Sequence, residues 1–330
     1  MILLLHDGKV LYFIDKRNFI FERMSVIYNF IYQESLKRAK HKIWIFSDLQ
    51  QSNPENAKEC LDVSMKDYYF LGAPADMIWF LGDCVEGCNK EHLLAMCEMQ
   101  EKVFEETGIP LCYTAGNHDL DYARDGNSGD VFIPFYEMAK KHSDWYVASS
   151  YTDPYFKVSL GDFKIYFFTD HIDANKLWNT THGEIHGDAN AYPHIQALQK
   201  IREEMEEDSC PIITASHYSF AGGSRPSELF NNIMPLPQNV KMHFYGHAHI
   251  GDFLWAGDRP YQRISWMNNH DIPQINVSSF EHIRGNKCRS VFLHIYEDQS
   301  CGIFFRNHDD HVFTECYFPS KINYPHKEKN

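Results

Sequence analysis

The sequence predicts a four-layer α/β/β/α sandwich, two mixed β-sheets face to face with helices outside, built as one domain. Three observations lead there. Short apolar runs recur along the 330 residues, too continuous for strands with one wet face and so expected to be buried on both sides. The earlier runs each stop in a small polar cluster, with helical stretches filling several gaps between them, as in a largely parallel sheet. The later runs read in part as hairpins, which makes the sheets mixed.

In chain order, ILLL-HDGK-VLYFI reads as a hairpin turning at Asp7-Gly8, followed by a helix from about Ser25 to Arg38 with Ile27, Phe30, Ile31 and Leu36 on one side. Residues 1–40 are expected to be an extension, 41–320 a single domain and 321–330 a tail; Met24 offers a second start, which would leave the first segment an appendage. From Lys42 the pattern sets in. KIWIF ends in Ser47-Asp48, MIWFL in Gly82-Asp83, and PLCYTA in Gly116-Asn117-His118-Asp119. PIITA ends in Ser216-His217 and KMHFY in Gly246-His247-Ala248-His249. Helices are expected over Glu91–Thr107 and His194–Glu207, and strands over YFKVSL, FKIYFF, QINVSS and SVFLHIY. His308-Asp309-Asp310-His311 reads as a turn.

Composition narrows the function. A hydrophobic fraction of 44% with 23% charged residues describes a folded soluble protein. A net charge of −14 argues against a nucleic-acid polymer as partner, since such binders present a basic face. A small anion remains acceptable if cations sit in the site. Nine cysteines lie scattered without a CxxC pair, the usage of free thiols in a reducing cytosol, so a cytoplasmic location is expected. MILLL is too short for a signal peptide and runs into His6-Asp7-Gly8, and no apolar run approaches the ~20 residues of a membrane span. The 19 histidines, several beside Asp, Asn and Gly, point to metal chemistry.

Taken singly, each strand-end residue has a plain explanation as a cap or turn. Together, Asp48-Leu49-Gln50, Gly82-Asp83, Gly116-Asn117-His118-Asp119, His217 and Gly246-His247-Ala248-His249 stand in an order that resembles the calcineurin-like metallophosphoesterase superfamily. The pattern of that superfamily runs D-x-H, GD, GNH[DE], a lone His, then GHxH, and the resemblance covers residues 42–310. It implies a hydrolase of phosphate esters with two divalent metals, Mn first, with Fe, Zn, Co or Ni as alternatives, and a hydroxide between them as nucleophile. It implies that Asp83 bridges the metals, that Asp48, Gln50 and His249 complete one, and that Asn117, His217 and His247 complete the other. It further implies that His118 assists the leaving group, with Glu86 as its carboxylate partner, while Asp119 orients the GNHD loop.

The chain departs from the pattern at Gln50, where the superfamily has histidine. Three readings compete: the amide oxygen coordinates, giving a site tolerant of Mn or Mg; Gln50 only bonds a bound water, leaving that metal loosely held; or the site has decayed and the protein is a scaffold keeping the fold. An active enzyme whose first metal is the more easily lost is favoured, because the other ligand positions and His118 are intact. The phosphoprotein-phosphatase branch, with GDxxDRG and GNHE, is disfavoured by GDCVEG and GNHD. A small phosphodiester or phosphomonoester is the expected partner, selected by loops over residues 172–192, 219–238 and 253–270.

Overall fold

Why the sheets stack is visible in the alternation of their strands, in a computed structural model that describes residues 3–6, 9–13, 20–51, 53–84, 90–120, 134–148, 155–169, 178–179, 184–185, 192–220, 233–249, 263–266, 272–282 and 286–319. Along HKIWIF, Trp44 and Phe46 pack to one side while Ile43 and Ile45 pack to the other. Ile78 and Phe80 against Trp79 and Leu81 repeat the division. A strand apolar on both faces needs a layer over each, which is what produces four layers.

The elements run β1 (Leu3–His6), β2 (Lys9–Phe13), α1 (Ile20–Arg38), β3 (His41–Phe46), α2 (Pro54–Phe70), β4 (Met77–Phe80), α3 (Lys90–Thr107), β5 (Leu111–Thr114), α4 (Pro134–Ala139) and β6 (Trp145–Ala148). They continue β7 (Tyr155–Leu160), β8 (Phe163–Phe168), β9 (Trp178–Asn179), β10 (Glu184–Ile185), α5 (Tyr192–Glu207), β11 (Ile212–Ser216), β12 (Val240–Tyr245), β13 (Ile264–Trp266), β14 (Pro273–Asn276), β15 (Arg289–Ile295), β16 (Cys301–Asn307) and β17 (Val312–Tyr317). One sheet has the order β17-β16-β15-β3-β4-β5-β6, the other β13-β14-β12-β11-β8-β7. Both are mixed, as expected: β3, β4, β5 and β6 run parallel, β15 to β17 antiparallel. In the second sheet β8, β11, β12 and β14 run parallel, with β7 and β13 antiparallel at the edges.

Between the sheets lies a core of Ile45, Trp79, Ile165, Phe167, Ile213, Phe244 and Val291 among others. The outer face of the seven-stranded sheet is covered by residues of α2 and α3 such as Leu61, Tyr68, Met96 and Phe104, and that of the six-stranded sheet by Leu198, Ile201 and Met205 of α5. α2 starts where Asn53 Oδ1 accepts the backbone N–H of Asn56 at 2.8 Å, with Pro54 in the first turn, a cap and a pre-set φ in succession.

The N-terminal hairpin forms with His6 opposite Lys9; its expected turn residues, Asp7 and Gly8, lie outside the described residues. The following helix departs from expectation in two ways. It begins at Ile20, and its packed side is Tyr28, Ile31, Tyr32, Ser35 and Leu36, while Phe30 is 60% exposed. Residues 28, 31, 32, 35 and 36 recur at the helical repeat, and position 30 falls off that stripe. Tyr32 is buried and stacks on Phe313 of β17 at 4.2 Å, so α1 packs on the seven-stranded sheet. The turn expected at His308–His311 joins β16 to β17. Among the described residues no helix is long and apolar enough to cross a membrane.

Candidate metal centre

Five parallel strands end at one rim. Asp48, Asp83 and Asn117 follow the adjacent strands β3, β4 and β5, and His217, His247 and His249 follow the neighbours β11 and β12 of the other sheet. Hydrogen bonds tie neighbouring strand ends within each sheet, Asp48 N to Gly82 O at 3.0 Å and Gly246 N to His217 O at 3.0 Å, and His247 N donates to Asp48 Oδ2 at 2.9 Å from one set to the other.

The backbone here leaves its usual regions. Asp48, Asp83, His247 and His249 have φ of 58°, 53°, 63° and 24°, the left-handed region that costs a side-chain-bearing residue energy. Such conformations persist where packing over-determines them, and here they turn side chains at successive strand ends inward. Two motif glycines make the approach possible. A Cβ on Gly116 would stand 2.2 Å from Asp83 Oδ1 and 2.4 Å from Asp83 N, and one on Gly246 would stand 2.0 Å from Ser47 Oγ. Gly116→Ala is therefore expected to displace the Asp83 carboxylate and to cost about 1–3 kcal/mol of stability by overpacking. Urea denaturation checks the stability and calorimetric metal titration the site; unchanged affinity in the variant would contradict the close approach.

At this rim ligand-type atoms of the described residues gather in two groups, Asp83 with His217 and His247, and Asp48 with Asp83 and His249, the atoms of each within 4.8 Å of one another. Asp83 belongs to both. His217 Nε2 lies 3.1 Å from Asp83 Oδ2 and 3.1 Å from Asn117 Oδ1, while its Nδ1 donates to Leu81 O at 2.7 Å. That donation fixes the tautomer and aims the Nε2 lone pair into the cluster. His249 repeats the design: Nδ1 bonds Glu281 Oε1 at 2.5 Å and Nε2 stands 3.0 Å from Asp48 Oδ1. Asn286 Nδ2 in turn donates to Glu281 Oε1 at 2.7 Å.

Burial pushes the His217 imidazole down, but the Asp83 charge beside it prevails and raises it to about 9; His249 is driven well up by Glu281 and Asp48 against the same burial. Burial raises the Asp83 carboxyl, and His217 more than offsets it, holding the acid well below its usual value. Buried lone pairs this close need positive charge among them. Two carboxylates, imidazoles and an amide oxygen at these spacings fit divalent cations, and Asp83 is common to both groups.

Gln50 is buried two residues beyond Asp48, at the same strand end. His118 opens a single 3₁₀ turn and is partly exposed, and its backbone N–H donates to Asp83 Oδ1 at 2.7 Å. Its expected partner Glu86 lies outside the described residues, as does most of the three expected specificity loops. Asp119 does orient the loop. Its carboxylate accepts from Asp83 N at 3.0 Å, Cys84 N at 2.8 Å, Gly116 N at 2.7 Å and Tyr113 Oη at 2.7 Å, binding the GD turn to the GNHD turn. Glu281 and Asn286 escaped the sequence reading. Neither sits in a motif, and only the fold brings them behind His249. Eight cysteines lie among the described residues, none of them in a disulfide, and six of them are buried.

A model of the calcineurin-like phosphoesterase family matches residues 41–251. Among solved structures, a dimetal phosphatase from Danio rerio is similar at 9% identity, covering 86% of this chain and 99% of that one, with a TM-score of 0.59. A second solved chain has 13% identity over 81% of this chain and 99% of its own, with a TM-score of 0.48. No protein of curated function matches the sequence.

Proposed function

We propose, because the chain belongs to the calcineurin-like phosphoesterase family, that it hydrolyses a small phosphate ester at a centre of two divalent metals. The observation that carries this reading is Asp83, common to both ligand groups. Asp48, Gln50 and His249 would complete one metal beside Asp83, and Asn117, His217 and His247 the other. Bound there, the metals would supply a nucleophile at neutral pH and neutralise phosphoryl charge. The chain does the rest. Leu81 O and Glu281 hold His217 and His249 in the ligating tautomer. The Asp83 carboxylate pins the backbone of His118, whose imidazole, next in sequence to Asn117, would give a proton to the leaving oxygen. Glu86 is the proposed partner that keeps that imidazole charged.

Gln50 as an oxygen donor favours a harder ion, and manganese is the proposed native metal. Gln50→His is then expected to tighten the metal bound with Asp48 and His249 by on the order of tenfold, the scale on which single changes around a metal move its affinity. Calorimetric titration checks it; equal affinities would rule out coordination by Gln50. The function itself is tested by stripping the protein with EDTA, restoring manganese, and assaying bis-p-nitrophenyl phosphate against p-nitrophenyl phosphate. Turnover of either sustains the proposal and ranks diester against monoester. Turnover of neither with any divalent metal would leave a scaffold that keeps the fold.

A further inference from the structure

Two cysteines far apart in sequence meet a histidine beside the candidate centre's supporting loop. Cys60 lies on the buried face of α2, His282 follows Glu281, and Cys288 immediately precedes β15. One ligand atom of each lies within 4.8 Å of the others, with Cys288 Sγ 3.4 Å from His282 Nε2. In a tetrahedral zinc site with Zn–S ~2.3 Å and Zn–N ~2.0–2.1 Å, the edge between sulfur and nitrogen comes to about 3.5 Å. Asp309, in the turn between β16 and β17, brings Oδ1 to 2.8 Å from His282 Nε2, while its Oδ2 accepts the backbone N–H of Cys288 at 2.7 Å. Gln51 Nε2 donates to Cys60 Sγ at 3.4 Å, as the supporting donors of metal-bound thiolates do.

We propose that Cys60, His282 and Cys288 form a third metal site of the zinc class, with the Asp309 carboxylate at the fourth position. Soft sulfur with imidazole selects zinc over the harder ions that the oxygen-rich centre favours. Both sulfurs are buried while His282 and Asp309 are partly exposed, so an ion has a route in. The bound ion would tie α2, the loop carrying Glu281 and the β16–β17 turn together. That loop holds the imidazole of His249, so zinc here would brace the rim without joining its chemistry.

The full chain titrated with cobalt(II) tests this, because thiolate ligation produces a near-ultraviolet charge-transfer band that imidazole and oxygen ligands do not. The band is expected in the unaltered protein and in Asp83→Asn, which separates it from the dimetal centre. Cys60→Ser or Cys288→Ser should remove roughly half of it and the double variant all of it, with the loss of about one tightly held zinc per chain by elemental analysis. Cobalt saturation without the band would overturn the proposal, and needs no variant to fold. So would a mass lower by two hydrogens at Cys60 and Cys288 with no metal bound, which would make the two thiols a redox pair.

Discussion

Asp83→Asn is expected to lower turnover of phosphate esters by at least about a thousand-fold, above the loss from removing one charge-stabilising group, because it weakens two cations at once. The substitution is nearly isosteric, so the fold should survive. Asp83 Oδ1 accepts from His118 N at 2.7 Å, a bond that an asparagine oxygen can keep. Its amide NH2 would then face His217 Nε2, 3.1 Å away in the native chain, and offer hydrogens where a cation needs a lone pair. Asp48→Asn has a smaller expected effect, since Asp48 belongs to only one of the two ligand groups. Metal content and turnover measured together decide the matter: a variant that binds two metals as tightly as the native protein and turns over normally would show that Asp83 does not bridge.

Much of this site was legible in the sequence because its residues sit where backbone geometry forces exposure of chemistry. A strand apolar on both faces must end, and the first polar residues past that end lie at the rim. KIWIF, MIWFL, PLCYTA, PIITA and KMHFY therefore announced both the sheets and the positions of Asp48, Asp83, Asn117, His217 and His247. What stayed hidden depends on tertiary approach. Glu281 and Asn286 reach His249 through a loop with no local signature, and Cys60 meets Cys288 across most of the chain. The turn at His308–His311 was readable as backbone, yet its side chains serve partners far away, His308 and His311 on Asp67 and Asp309 on His282. Phe30 misled for the opposite reason: its apolarity suggested the packed face, while the helical repeat of Tyr28, Ile31 and Ser35 excludes it.

Away from the rim, Arg306→Met is expected to cost about 3–5 kcal/mol of folding stability, because it strands a buried carboxylate. Asp67 of α2 receives two bonds from Arg306, Nη2 to Oδ1 at 2.6 Å and Nε to Oδ2 at 2.7 Å, and both side chains are almost wholly buried. His308 Nδ1 at 2.8 Å and His311 Nδ1 at 2.7 Å complete its shell. Burial raises the Asp67 carboxyl, but the Arg306 and His308 hydrogen bonds overcome it and hold the acid well below its ordinary value. That contribution is whole above the free carboxylate's value of about 3.9 and is lost only as pH falls toward the depressed native one. Without Arg306 the sign reverses: Asp67 is buried with its charge under-compensated and gains by taking up a proton. His308, which burial keeps low and Arg306 pushes lower still, would also protonate more readily. The gap between native and variant should therefore narrow as pH drops below about 6.5, the ordinary histidine value. Asp67→Asn combined with Arg306→Met should lose less than the two single changes added together, since the double change removes the stranded charge as well. Urea denaturation at pH 8 and pH 5 reads both effects. A variant gap that stays constant with pH, or single losses that simply add, would mean that the four side chains do not act as one charge-balanced unit.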